Sequence, residues 1–179
     1  MPQVTADAWV PVPPETAFAV SQTTGEVRLR WDPFIRHQHL IDADRPGKGV
    51  RTLTRARVGP RMVSEYASYR PPTSVGMTMV SGPWFFGSFG GGWRFTPETE
   101  GGLAGTRAVW KYSYTVRPAW LRPLAEPLGQ ALLGREIRAR ISAFARACED
   151  PEVLGAARGA HEHPSSVRPA RRSRLRFRR

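Results

Sequence analysis

Val4, Ala6, Ala8, Val10 and Val12 alternate with Thr5, Asp7, Trp9 and Pro11. A period of two marks a strand, here with a face of small residues. Pro13-Pro14-Glu15 then opens a short helix over Glu15 to Val20. Proline fits the first helical turn, and Glu15 complements its positive end. Gly25 to Arg30 reads as a connection or a second short helix. Trp31-Asp32-Pro33-Phe34 is a turn, because Pro33 drives Asp32 out of the helical region. Strands follow over Ile35 to Asp42, Gly49 to Val58, Arg61 to Arg70, Val75 to Ser81 and Trp84 to Thr96. Gly59-Pro60, Pro71-Pro72 and Gly82-Pro83 punctuate them. Gly87, Gly90, Gly91 and Gly92 predict a bulge or sharp bend in the last of these. Thr106 to Val116 is the clearest strand. Ala108, Trp110, Tyr112, Tyr114 and Val116 share one face, and Arg107, Lys111, Ser113 and Thr115 share the other.

The period then changes. Leu133, Ile137, Ile141, Phe144 and Cys148 recur at steps of four, four, three and four, one stripe of an amphipathic helix running from about Pro123 to Asp150. Arg135, Arg138, Arg140 and Arg146 occupy other faces. Pro127, Gly129 and Gly134 weaken its first half, so a kink or false start is expected there, and with it a natural opening. The pattern predicts an α+β body: a curved antiparallel sheet of about seven strands around a long C-terminal helix. Such a body can enclose an elongated apolar pocket.

Composition sharpens this picture. At 179 residues, 40% of them hydrophobic, the chain is one domain with enough apolar mass for a core. Cys148 is the only cysteine, so no intrachain disulfide forms, which favours a reducing compartment. The N-terminus lacks the basic and apolar regions of a signal peptide, and no apolar run reaches the roughly 20 residues of a membrane helix. A cytoplasmic location is the resulting expectation. The net charge is +12, with 27 Lys and Arg against 15 Asp and Glu. Residues 151–179 contribute half of that excess: eight Arg against Glu152 and Glu162. Beyond Asp150-Pro151 no periodicity is visible, so residues 1–150 read as the folded domain. Residues 151–179 read as a disordered, Arg-rich tail ending in Arg168 to Arg179.

Several short motifs resemble one family when taken in order. Val10-Pro11-Val12-Pro13-Pro14-Glu15-Thr16-Ala17-Phe18 looks like a first strand running into an AP-x-E-x-V-F/W helix start. Arg30-Trp31-Asp32-Pro33 looks like a W-x-P turn, and Gly47-Lys48-Gly49-Val50-Arg51 like a glycine turn into the third strand. Gly105-Thr106-Arg107 with Val109-Trp110 resembles a GT-x-V-x-W/Y last strand. Over about residues 4 to 150 the chain is similar to the START-like, or SRPBCC, superfamily, and especially to its polyketide cyclase/dehydrase-type bacterial members. The resemblance implies a helix-grip fold with a cavity between sheet and helix. Its relatives bind lipids, sterols, polyketides, quinones or plant hormones, and a minority are enzymes. The superfamily has no universal catalytic motif, so the fold does not settle the function.

Eleven of the 18 aromatic residues lie between Tyr66 and Tyr114. Candidates for a ligand-binding lining are Trp93, Trp110, Tyr112 and Tyr114, with Met77 and Met79 as adaptable walls. Ile137, Ile141 and Phe144 are the expected helical wall. Each also reads singly as plain core. Alternation places Met62, Ser64, Tyr66 and Arg70 on one strand face. Tyr66, Arg70 and Tyr112 are the weak catalytic candidates, as polar groups that could position a carbonyl or phenolate. Arg70, at a strand end beside Pro71, reads more simply as a surface residue.

His37 and His39 point the same way on a strand, but no Cys, Asp or Glu cluster completes a metal site. No metal or other cofactor is expected. Gly87-Ser88-Phe89-Gly90-Gly91-Gly92 lacks the Lys and following helix of a phosphate loop and reads as a bent strand. No nucleophile arrangement is present. The leading reading is therefore a non-catalytic carrier of a small hydrophobic ligand. Its alternatives are an aromatase/cyclase-type enzyme and a protein acting through weak contact of its basic tail with nucleic acid or anionic lipid.

Overall fold

The computed structural model describes residues 1–59 and 61–162. Seven antiparallel strands form one sheet in the order β1-β7-β6-β5-β4-β3-β2. They are β1 (Gln3–Val10), β2 (Ile35–Ile41), β3 (Arg51–Ala56), β4 (Arg61–Arg70), β5 (Ser74–Ser81), β6 (Phe86–Glu100) and β7 (Leu103–Val116). Helices α1 (Pro14–Ser21) and α2 (Gly25–Trp31) fill the crossover from β1 to β2. Helices α3 (Arg122–Ala147) and α4 (Pro151–Glu162) follow the sheet. Consecutive strands from β2 to β7 are neighbours, and β1 closes onto β7 in register from Gln3–Ser113 to Val10–Thr106. This is the α+β architecture that the hydrophobic pattern predicted and the helix-grip fold that the resemblance implied.

The central hairpin is longer than its pattern suggested. β6 continues to Glu100 and β7 starts at Leu103, joined by Gly101 and Gly102 at φ 58° and 82°. Two consecutive positive φ values define the tight turn that matches strand twist, and glycine adopts them without strain. Beside the turn, Arg107 donates to Glu98 at 2.7 and 2.8 Å, to Glu100 at 3.0 Å and to Asp7 at 3.3 Å. This exposed network ties three strands together where apolar alternation fades.

The core lies where α1 and α3 meet the sheet, with α4 packed on α1. Trp93 stacks on Trp110 at 4.1 Å between ring centroids, and Phe144 of α3 packs on Trp93 at 4.7 Å. Phe18 of α1 meets Phe95 edge-on at 5.7 Å. Cys148 is buried in the same cluster, and burial pushes its thiol up to about 12.

Two expectations are corrected. α3 runs as one helix from Arg122 to Ala147 with Pro127 inside it, rather than starting falsely. One missing amide bond near a helix end is tolerated when neighbouring turns pack. The expected tail from residue 151 is not irregular at its start, because α4 spans Pro151–Glu162. Asp150 Oδ1 accepts the amides of Glu152 at 2.9 Å and Val153 at 3.4 Å, and Pro151 occupies the first turn. Val153 and Ala157 are each 1% exposed and join the core. Their i, i+4 spacing was hidden among alanines and glycines. The expected tail residues beyond these, including Arg168 to Arg179, lie outside the described residues.

Candidate ligand-binding cavity

Strand alternation and one helix face build a cavity of about 680 Å³ between the concave sheet and α3. β4 contributes Met62, Ser64 and Tyr66, β5 contributes Met77 and Met79, and β7 contributes Trp110, Tyr112 and Tyr114. Trp93 of β6 also reaches it. A side chain at Gly91 would bring its Cβ within 3.0 Å of the Tyr112 ring, so glycine there leaves the ring its place. Tyr114 Oη donates to the Glu126 carbonyl of α3 at 3.0 Å, joining sheet to helix near the opening.

Tyr66, Met77, Met79, Trp93, Trp110, Tyr112 and Tyr114 thus lie together, and four other predicted residues do not. Arg70 is exposed. A bulge between Tyr66 and Ser68, opposite Met77 and Gly76, reverses the alternation of β4. Tyr69 therefore packs inward on Phe18 at 5.4 Å, and Arg70 turns to solvent. Ile137, Ile141 and Phe144 are 0%, 4% and 0% exposed but belong to the core rather than to the cavity wall. The wall is formed by Leu128, Leu132, Leu133, Glu136 and Arg140, about a third of a turn around α3.

The inner end of the cavity is polar. Asp32, fully buried after α2, accepts from Arg28 Nε at 2.9 Å, Arg140 Nη2 at 2.7 Å, Arg140 Nε at 3.1 Å and the Phe34 amide at 3.2 Å. Arg28 also donates to the Ser21 carbonyl at 2.7 Å. Arg140 Nη1 donates to Tyr112 Oη at 2.6 Å and to Glu136 Oε1 at 3.3 Å. The Arg140 guanidinium lies 4.3 Å from the Trp110 ring centroid, and that of Arg28 lies 4.1 Å from the Trp31 centroid.

Burial alone would raise the Asp32 carboxyl, but Arg28 and Arg140 hold it below the ordinary carboxylate range. Burial lowers the Arg28 guanidinium against the pull of Asp32. Burial raises Glu136 despite Arg140 beside it. Tyr66 is pushed up to about 12 by burial, and Tyr112 is raised by the same cause. Both phenols are therefore protonated donors at neutral pH. Gln38 Oε1, in the cavity wall, is buried without a hydrogen-bond partner among the described residues.

Arg28, Asp32, Glu136 and Arg140 were not singled out from the sequence. Asp32 read as a turn residue, and Arg140 as one of several arginines off the apolar stripe. The available signal was the four-residue step from Arg28 to Asp32. His37 and His39 are exposed, with Nε2 and Nδ1 3.0 Å apart. No group of three His, Cys, Asp or Glu positioned for a metal exists among the described residues.

Residues 1–149 match the model of a family described as polyketide cyclase/dehydrase and lipid transport. The chain belongs to this polyketide cyclase/dehydrase and lipid transport family. Solved structures similar to this family member include TTHA0849 from Thermus thermophilus, with a TM-score of 0.67 at 21% identity. The match covers 87% of this chain and 99% of that one. A START superfamily protein from Mycobacterium smegmatis matches with a TM-score of 0.65 at 14% identity, over 82% and 97%. The major latex-like protein 151 of Panax ginseng matches with a TM-score of 0.55 at 14% identity, over 76% and 94%. At these identities the likeness is one of fold. No curated protein matches by sequence. No helix among the described residues is long and apolar enough to cross a membrane.

Proposed function

We propose that this family member is a non-catalytic carrier of an elongated hydrophobic molecule bearing an oxygen-rich polar end. The observation that carries the reading is the cavity itself: about 680 Å³, aromatic and aliphatic along its length, with charged and phenolic groups at its inner end. A cavity of this size suits a drug-sized or lipid-like molecule. Burying its apolar body contributes roughly 25 cal/mol per Å² before ordering costs. The protonated Tyr66 hydroxyl favours a carbonyl, phenol or carboxyl end. Ser64 and the unpaired Gln38 carbonyl suit a hydroxyl along the wall.

A second reading, a cyclase-type enzyme acting on a polyketide-like substrate, draws on one observation. Glu136 lines the cavity and its carboxyl is raised by burial, as a proton-transfer group requires. The carrier reading is preferred because Asp32 and Arg140 are committed to each other, and Tyr66 and Tyr112 are poor bases. Titration with a fluorescent polyene fatty acid, followed by transfer from Trp93 and Trp110, tests the carrier. Saturable one-to-one binding that an apolar competitor displaces is expected. Absence of binding across lipids, quinones and polyphenols contradicts it, and turnover of a poly-β-ketone lost in Glu136→Gln favours the enzyme.

A further inference from the structure

Apart from Met1, Val80 and Leu103, the exposed large apolar side chains of the described residues are gathered in one place. Val58, Trp84, Leu128 and Leu132 are 89%, 79%, 61% and 62% exposed, and each also lines the cavity. They ring its mouth. Trp120 and Leu124 are 79% and 77% exposed, and Leu124, Leu128 and Leu132 follow one another at four-residue steps along α3. Phe85, packed edge-on against Trp84 at 6.0 Å, completes the rim. A contiguous apolar rim of this kind marks an interaction surface.

The charge around it is one-sided. Segments 55–62, 80–90 and 115–135 carry Arg55, Arg57, Arg61, Arg117, Arg122 and Arg135, all exposed, and a single acid, Glu126. Exposed Trp, Phe and Leu bordered by arginine is the composition of a surface that lies in the headgroup layer of an anionic bilayer. The same excess opposes a second copy of the chain, since two such rims would bring like charges together.

We propose that the cavity mouth docks on an anionic bilayer surface. Trp84, Phe85, Trp120 and Leu124 enter the acyl boundary, and the arginines sit among the phosphates. The inference rests on the carrier reading: a docked mouth lets ligand pass between bilayer and cavity without crossing water.

The test is vesicle flotation of the full chain with tryptophan emission as a second readout. Vesicles of phosphatidylcholine with about 30 mol% phosphatidylserine bind it and shift its emission to the blue, whereas phosphatidylcholine alone binds it weakly. Affinity falls by about tenfold or more between ~50 and ~500 mM salt. Trp120→Ser with Leu124→Gln weakens vesicle binding at least ~10-fold. It leaves polyene fatty acid affinity in solution unchanged, because neither residue lines the cavity.

Equal vesicle binding by wild type and variant overturns the proposal and assigns the contact to another basic segment, such as Arg168 to Arg179. No vesicle binding by wild type overturns it as well. So does a dimer in light scattering that the variant abolishes while vesicles stay unbound. Absence of fatty acid binding in both proteins is the separate failure of the carrier reading.

Discussion

Asp32→Asn isolates the charge that holds the polar end of the cavity together. Asp32 is 0% exposed and is the carboxylate partner shared by Arg28 and Arg140, which are themselves 6% and 7% exposed. Asparagine keeps the size but removes the charge, leaving two guanidinium groups buried near each other with only Glu136 to offset them. Breaking a buried ion pair from one side costs about 3–5 kcal/mol. At about 2–4 °C per kcal/mol for a chain of this size, the melting temperature falls by roughly 6–20 °C.

The penalty depends on pH. The folded-state pKa of Asp32 is depressed, so its contribution is fully present above the unfolded value of about 3.9. It is lost as pH falls through the lowered folded value. The gap between wild type and Asp32→Asn therefore narrows below about pH 4. Urea unfolding followed by tryptophan emission, repeated from acid to neutral pH, measures both quantities. The fourfold replacement Arg28→Met, Asp32→Leu, Glu136→Gln, Arg140→Met serves as a control. It regains most of the loss, because removing every charge leaves none unpaired. A loss under about 1 kcal/mol at neutral pH refutes the reasoning, since that is the scale of a solvated surface pair.

Four other outcomes are expected. Ser64→Phe fills the cavity from β4 and weakens fatty acid binding at least ~10-fold with little loss of stability, read by the same titration and by thermal melts. Tyr66→Phe removes a protonated hydroxyl from the inner end and weakens ligands with a carbonyl or carboxyl head by about 0.5–1.5 kcal/mol, while purely hydrocarbon ligands bind unchanged in calorimetry. Val153→Asp places a charge where α4 meets the core and destabilises the whole domain by more than about 2 kcal/mol, whereas a loose tail would give no change in urea unfolding. Glu136→Gln is at least as stable as wild type at neutral pH, because burial raises the Glu136 carboxyl. That advantage disappears as pH falls below the unfolded value of about 4.3 in melts run across pH.

The sheet was legible because its strands alternate and its turns carry glycine or proline at fixed places. Trp110, Tyr112 and Tyr114 announced an inward face of β7, and β4 read correctly as far as Tyr66. Alternation failed at the next step, where a bulge turns Tyr69 in and Arg70 out, and no residue type announces a bulge there. The helical wall was misplaced for a different reason. The Ile137, Ile141 and Phe144 stripe does mark a buried face, but a helix wedged between a core and a cavity has two inward faces. The second contains Glu136 and Arg140, which hydropathy assigns to solvent. The partner that makes Arg140 inward, Asp32, is 108 residues away in the chain, beyond any local pattern. α4 escaped notice because only Val153, Leu154 and Ala157 mark its apolar side among small residues.

The central claim is that this family member encloses a hydrophobic ligand with an oxygen-bearing end. Native mass spectrometry of the full chain, purified without detergent, tests it most directly. The account predicts a one-to-one adduct that is released on denaturation and identified as an oxygenated hydrophobic molecule, and that Ser64→Phe does not retain. A wild-type spectrum showing only the bare chain, together with no one-to-one complex after incubation with oxygenated lipids, quinones or polyphenols, would contradict it.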